Sequence, residues 1–219
     1  MGVRGNRAMT VTPPEPLVTG GLRSLEVRWI LPGPLEPAVA RWFARFPAEM
    51  AARQDAYLLD PELGGLSVKV RAGMALEVKV YHGNPGILDI PARARGRIQS
   101  WQKWSFPLRP PGQDAGAPAG WTVIGKRRRV TRFRLASGRV VAAGPGPAAE
   151  PGCAVELTEI RAGGQAWWSL GFEATGPDGL LRSALQAAAG QIFAQPLPGE
   201  AELGLSDCQS YAQWLDRRR

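Results

Sequence analysis

Charged side chains recur at every second position in several segments of this sequence. In the segment 66–81, Lys69 and Arg71 alternate with apolar residues, and after a short turn Glu77 and Lys79 do the same. Successive side chains of a β-strand point to opposite faces, so each of these pairs shares one face. Guanidinium groups bind phosphate through two hydrogen bonds, and ammonium groups bind it as point charges. Such a face predicts a site for phosphate groups.

The same alternation extends the basic set to other segments. We expect the following basic side chains to share this face: Arg28, Lys69, Arg71, Lys79, Lys126, Arg128, Arg132 and Arg134. About three carboxylates would accompany these cations. Carboxylates repel phosphate, but they are suitable ligands for Mg²⁺ or Mn²⁺, which bridge to phosphate oxygens. A metal ion bound there would stabilise the charge that develops in phosphoryl transfer and could activate water.

An ordinary antiparallel sheet also explains any single strand of this kind, because one of its faces is often polar and solvated. Two features of the whole set favour another arrangement. The polar faces contain too few acidic residues for cross-strand pairing. The opposite faces carry large apolar side chains, such as Trp29, Phe133, Trp168 and Phe172, which need cover. A closed barrel with a charged interior and with helices packed outside meets both conditions.

The elements that would position these residues are mostly strands. We expect strands at 25–30, 55–59, 66–81 (a hairpin), 92–106, 121–135, 139–143, 153–160 and 167–175. Helical spacing predicts helices at 34–52 and 180–194 and a short helix at 211–215. Gly and Pro predict a turn at 83–86. The predicted fold class is α+β, mainly antiparallel β, with an eight-stranded closed tunnel barrel and helices packed outside.

The predicted organisation is a single domain with two flanking segments. Residues 1–21 are rich in Gly, Pro and Thr and predict a disordered tail. Residues 22–195 would form the tunnel domain, because neither half of this range has enough strands to close a sheet. Residues 196–219 would form a C-terminal extension.

The composition of the chain favours some kinds of binding partner and argues against several kinds of site. The 219 residues have a formal net charge of +8, which favours anionic partners. Two cysteines and one histidine, His82, argue against a disulfide framework, a zinc site and a histidine-based triad. Cysteine usage predicts a reducing compartment, and hence the cytoplasm. The lack of a run of about 18 apolar residues predicts no membrane span.

Several short motifs occur in a particular order along the chain. They are SLEVR (24–28), DAYL (55–58), LSVKVR (66–71), LEVK (76–79), KRR with RFR (126–134), Glu156 and GFE (171–173). In this order they resemble the motifs of the CYTH family, the triphosphate tunnel metalloenzymes. The resemblance spans about residues 24 to 195, which is most of the chain.

The resemblance implies a CYTH-like tunnel and a set of functional residues. Family members hydrolyse inorganic triphosphate or thiamine triphosphate, remove RNA 5′ triphosphates, or cyclise ATP. By resemblance, Glu26, Glu156 and Glu173 would be catalytic and would bind Mg²⁺ or Mn²⁺. The sequence departs from the family at Ser24 and Gly171, where acidic residues are common. The basic side of the tunnel is therefore retained better than the acidic side.

Three hypotheses of function follow, beside the alternative of an interaction module with an ordinary solvated sheet. The first is a metal-dependent hydrolase of a triphosphate or polyphosphate. The second is a catalytically impaired, CYTH-like protein that binds a polyanion or a phosphorylated ligand. The third is a nucleic-acid-binding protein in which Trp101, Trp104 and Trp121 would stack on bases.

Overall fold

The computed structural model describes residues 21–60, 62–108, 120–137, 139–143 and 151–218. The predicted disordered tail, apart from residue 21, lies outside the described residues. Nine strands and three helices make up the described part of the chain. The strands are β1 (Leu22–Pro32), β2 (Glu49–Leu58), β3 (Leu66–Arg71), β4 (Ala75–Ile90), β5 (Ala94–Pro107), β6 (Trp121–Ala136), β7 (Arg139–Ala143), β8 (Gly152–Ala162) and β9 (Gln165–Thr175). The helices are α1 (Pro37–Phe43), α2 (Asp178–Ile192) and α3 (Tyr211–Asp216).

Eight of these strands close into an antiparallel barrel. The hydrogen-bonded order is β2-β3-β4-β5-β1-β9-β8-β6, and pairing of β2 with β6 completes the circle. The remaining strand, β7, pairs with the last residues of β6, beyond the point at which β2 begins. The predicted eight-stranded closed barrel is confirmed, with one additional strand.

Two local predictions were wrong. The predicted helix 34–52 ends early, and residues 49–52 belong to β2. Pro47 follows the helix closely, and proline disfavours a helical backbone at the residue before it. The predicted turn at 83–86 is an irregularity inside β4, where the register with β5 shifts between Tyr81 and Gly86. Gly83 and Gly86 have φ angles of 118° and 133°, which only glycine adopts readily.

The larger apolar core covers the outside of the barrel. Trp29 and Phe172 point away from the barrel interior and pack edge to face, with ring centroids 6.2 Å apart. Helix α2 buries Leu185 against this layer, and α1 buries Phe43. Burying each such side chain contributes about 1.5–3 kcal/mol. The strand alternation that directs these residues outward directs their neighbours into the barrel.

A second, smaller apolar cluster fills one end of the barrel interior. Inward-facing Ile30, Ile124 and Ile160 pack there with Trp214 and Leu215 of α3. We call this end the floor. The C-terminal segment therefore packs against the barrel wall and closes one end of the tunnel.

Backbone pairing holds this segment in place. The peptide N–H of Ile30 donates to the carbonyl of Asp207 (3.0 Å), and the N–H of Gln209 donates to that of Arg28 (2.9 Å). The segment thus runs beside β1 beyond Glu26, where the pairing of β1 with β5 stops. A capping box starts α3, since Ser210 and Gln213 exchange side-chain and backbone hydrogen bonds. The short helix predicted at 211–215 is confirmed.

Among the described helices, none combines the length and the apolar character that crossing a membrane requires.

Candidate anion-binding site

The barrel interior encloses a cavity of about 220 Å³ to which every barrel strand contributes at least one side chain. Nine basic and four acidic side chains line it. The basic ones are Arg28, Arg53, Lys69, Arg71, Lys79, Lys103, Lys126, Arg128 and Arg132, and the acidic ones are Glu26, Glu77, Glu156 and Glu173. Basic side chains therefore outnumber acidic ones by five in the lining of this cavity.

Seven of the eight predicted phosphate-binding residues line this cavity: Arg28, Lys69, Arg71, Lys79, Lys126, Arg128 and Arg132. Arg134 is exposed and is not part of the lining. The pairing of β6 with β2 ends at Val130, and both Arg132 and Arg134 lie beside β7. Arg132 still reaches the cavity, whereas Arg134, two residues further along β6, does not. The predicted face is correct along most of β6, but its last position lies outside the cavity.

Two basic residues of the lining were missed from the sequence. Lys103 shares a strand face with Trp101, and the alternation that selected Lys69 would have found it. Arg53 follows the segment that was predicted as a helix, so its strand face could not be assigned. Both residues pair with carboxylates of the interior, at Glu173 and Asp55 respectively.

Glu156 is held by two guanidinium groups. Its Oε1 accepts hydrogen bonds from Arg28 (3.2 Å) and from the hydroxyl of Thr158 (2.7 Å). Its Oε2 accepts two from Arg128, one from Nε at 2.7 Å and one from Nη2. Burial alone would raise the pKa of Glu156, but Arg28 and Arg128 hold it well below the ordinary value. Glu156 is therefore an anion shared by two cations.

Glu26 and Glu173 lie opposite each other on β1 and β9 and share a lysine. The ammonium of Lys79 is 2.5 Å from Glu26 Oε1 and 3.5 Å from Glu173 Oε1. Lys103 also donates to Glu173, at 3.3 Å. Burial would lower the pKa of Lys79, but Glu173 and Glu26 outweigh it and raise that pKa above its ordinary value. Lys79 thus stays charged at the point where two carboxylates converge.

A third ionic cluster lies deeper, around Asp55. Its carboxylate accepts from Lys126 (2.9 Å) and Arg53 (3.2 Å), and it lies 3.8 Å from Lys69. Lys69 also pairs with Glu77 at 2.9 Å. Burial lowers the pKa values of Lys69 and Lys126, whereas these lysines overcome the effect of burial on Asp55 and lower its pKa. Glu77 was placed on the charged face, but neither Asp55 nor Glu77 was predicted as a site residue, since their pairing depends on cross-strand partners.

Aromatic residues separate the charged cavity from the floor. The ammonium of Lys126 lies 3.6 Å from the ring centroid of Tyr211 and donates to the hydroxyl of Tyr57 at 2.9 Å. The guanidinium of Arg28 lies over the same Tyr211 ring, 4.7 Å from its centroid. The Tyr211 hydroxyl is 3.1 Å from that of Ser169 on β9. Tyr211, which was not predicted as a site residue, thus joins α3 to the cations of the cavity.

The predicted carboxylates do not fit a metal centre. Within the described ranges, no group of three His, Cys, Asp or Glu residues has an arrangement that could hold a metal ion. Each of Glu26, Glu156 and Glu173 is instead paired with lysine or arginine. The site expected for Mg²⁺ or Mn²⁺ therefore contains ammonium and guanidinium groups among its carboxylates.

No protein-family model and no curated protein matches this sequence. Solved structures do show similarity. A protein from Pyrococcus horikoshii has 11% identity and a TM-score of 0.44, with 90% of this chain and 99% of that chain covered. The mimivirus capping enzyme triphosphatase has 10% identity, a TM-score of 0.43, and coverage of 80% and 91%. An RNA triphosphatase from S. pombe has 12% identity, a TM-score of 0.39, and coverage of 82% and 81%. These similarities are remote, and the function proposed below rests on the cavity itself.

Proposed function

We propose that this chain binds a linear tri- or polyphosphate, free or as part of a small phosphorylated molecule, inside the barrel. The observation that supports this proposal is that nine basic side chains line the cavity, against four acidic side chains in the lining and the buried Asp55 beside it. Like charges brought together in a partly buried space repel one another, and the repulsion grows as water is excluded. A flexible anion with several charges would neutralise many of these cations at once.

The way in which the carboxylates are shared supports the same proposal. Glu156 serves both Arg28 and Arg128, and Asp55 serves both Lys126 and Arg53. Because each carboxylate neutralises only one positive charge, each of these two groups keeps about one uncompensated charge. Lys79 and Lys103 are instead balanced by Glu26 and Glu173. The excess positive charge therefore lies in more than one part of the cavity wall, as binding of several phosphates in a chain requires.

The cavity favours binding over metal-dependent hydrolysis. Hydrolysis with Mg²⁺ or Mn²⁺ at Glu26, Glu156 and Glu173 would need carboxylate oxygens that are available to a metal ion. In the described structure these carboxylates are in contact with cations of the protein. The proposal therefore adopts the second hypothesis, binding of a polyanion. Phosphate release is measured in parallel with binding.

Nucleic acid fits the site less well. Stacking on bases needs exposed aromatic faces, but Trp101 is only 4% exposed and packs against Tyr81 with ring centroids 5.1 Å apart. The basic groups converge inside the barrel, whereas a nucleic-acid strand follows an open groove. No observation in the described structure favours this third hypothesis.

Calorimetric titration with phosphate, pyrophosphate and tripolyphosphate tests the proposal. We expect affinity to rise with each added phosphate, because a longer chain contacts more of the cations. A single-stranded oligonucleotide of equal charge should bind more weakly than tripolyphosphate. Phosphate release from tripolyphosphate, measured in parallel, tells binding from turnover.

Two arginines of β6 provide a matched pair of variants. Arg132→Ala, which changes the cavity lining, should weaken tripolyphosphate binding by about tenfold. Arg134→Ala removes the same charge from the same strand outside the cavity, and it should change affinity by less than about twofold. Equal losses in both variants would mean that the anion binds to the outer surface, and no binding by the unaltered protein would refute the proposed function.

A further inference from the structure

Three groups in the cavity have the positions and partners that would suit a bound cation: Lys79, Arg28 and Arg128. We infer that these built-in cations replace a divalent metal ion, so that the chain binds its phosphate ligand as the metal-free anion and Mg²⁺ weakens the binding. This inference rests on the proposed function. It concerns the chemical form of the ligand, which the charge of the cavity alone does not specify.

Glu156 has no lone pair left for a metal ion. An ionised carboxylate offers about four acceptor positions on its two oxygens. Oε1 uses two of them for Arg28 and Thr158, and Oε2 uses two for Arg128. A divalent ion would have to displace a guanidinium group that donates directly to this carboxylate. Glu156 therefore positions two arginines and is not available as a ligand.

The absence of a side chain at Gly171 makes room for one of these arginines. Gly171 lies directly opposite Arg28 in the pairing of β9 with β1. A Cβ atom at position 171 would lie 2.5 Å from Arg28 Cζ and 2.6 and 2.7 Å from its two terminal nitrogens. A side chain at this position would require the guanidinium group, the flexible end of Arg28, to move. In the structure, the space that glycine leaves is filled by this cation.

Lys79 occupies the second position. Its ammonium lies between Glu26 and Glu173, which face each other across neighbouring strands. Two opposed carboxylates with a cation between them are an arrangement typical of a metal site. Because the ammonium is part of the chain, a metal ion could enter this position only by expelling Lys79 into a cavity that is already positive.

The same cations have hydrogen-bond donors to offer a ligand. A guanidinium group has five N–H donors, more than the contacts of Arg28 with Glu156 and Ser169 use. A phosphate chain that arrives with bound Mg²⁺ would add positive charge beside these groups, at a cost in electrostatic energy. The free anion is therefore the form that complements the cavity.

Tripolyphosphate titrations in excess EDTA and in excess Mg²⁺ test the inference. We expect binding in EDTA and at least about tenfold weaker binding in Mg²⁺. Binding that requires Mg²⁺ would overturn the inference and leave the proposed function standing. The absence of binding under both conditions would refute both. Titration of the protein alone with Mn²⁺, followed by electron paramagnetic resonance, should show no bound ion, and a stoichiometric site at millimolar Mn²⁺ would overturn the inference.

A matched pair of glutamate variants tests whether Glu156 positions arginines or binds a metal ion. The two roles predict opposite changes in tripolyphosphate affinity. Glu156→Gln removes a negative charge from the cavity and should raise tripolyphosphate affinity in EDTA by about threefold. If Glu156 were a metal ligand, the same change would lower affinity at least tenfold in excess Mg²⁺, and that result would overturn the inference. Glu159→Gln is the control, since Glu159 pairs with Arg127 and Arg129 away from the cavity lining. If Glu156→Gln does not fold, Glu26→Gln provides a second test, since it should also raise tripolyphosphate affinity in EDTA.

Discussion

The two ends of the barrel interior are lined by residues of the same strands but have opposite character. Toward one end the lining includes Arg71 and Lys103, whose side chains are 43% and 23% exposed. At the floor, Ile124 and Ile160 are buried against Trp214 of the C-terminal segment. Both sets face inward by the same alternation of side chains along the strands. What differs is the cover, because helix α3 packs against the side chains of the floor.

The two ends of the barrel interior should therefore contribute differently to stability and to ligand binding. Packing at the floor removes apolar surface from water, which is the main favourable contribution to folding. The paired charges of the cavity contribute far less, since the loss of hydration offsets most of their attraction. We therefore expect changes at the floor to lower stability and changes toward the open end to lower affinity.

The largest effect is expected at the floor. Trp214→Ala would leave a void among Ile30, Ile124 and Ile160, and we expect it to lower the free energy of unfolding by about 3–5 kcal/mol. Urea denaturation followed by circular dichroism measures this loss. Leu180→Ala is the control, because Leu180 is 39% exposed on α2, and it should cost less than about 1 kcal/mol. Similar losses in both variants would mean that α3 does not stabilise the barrel.

Lowering the pH should destabilise the protein through the ion pairs of the cavity rather than through the apolar floor. Neighbouring cations lower the pKa values of Asp55, Glu77, Glu156 and Glu173 in the folded chain. A carboxyl group with a lowered folded pKa stabilises the fold above its unfolded pKa of about 4, and this contribution is lost as pH falls through the folded value. The free energy of unfolding should thus be constant from about pH 7 to 5 and fall by a few kcal/mol toward about pH 2. A flat profile down to that pH would contradict the ion pairs described here.

The smallest effect is expected at the most exposed part of the cavity. Arg71→Ala should weaken tripolyphosphate binding by about threefold, since solvent screens this partly exposed charge. It should change stability by less than about 0.5 kcal/mol. Arg95→Ala, which removes an exposed arginine that pairs with Asp89 outside the cavity, is the control. A loss of stability without a loss of affinity would place Arg71 in the structural rather than the binding part of the wall.

Period-two alternation was sufficient to predict the barrel and most of its inner face. It placed Lys69, Arg71 and Lys79 inward because side-chain direction in a strand depends only on parity. It could not show that Lys79 stands between Glu26 and Glu173, since that requires the pairing of strands far apart in sequence. It also placed Arg134 inward with Arg132, because parity gives the direction of a side chain and not how far along β6 the cavity extends.

The role of the C-terminal segment was beyond the reach of local patterns for a related reason. Tyr211 and Trp214 have the spacing of an ordinary short helix, and nothing in that spacing says that the helix lies across the end of a barrel. The contacts with Lys126, Arg28 and Ile124 exist only once all the strands are in place.

The position of the floor has a consequence for how the chain folds. Walls of the cavity begin at Glu26, yet its closed end is supplied by residues that follow Leu203. During synthesis, the strands therefore leave the ribosome before the helix that covers their apolar inner end. Contacts between such distant parts of a chain form slowly, and surfaces that await them are exposed to aggregation.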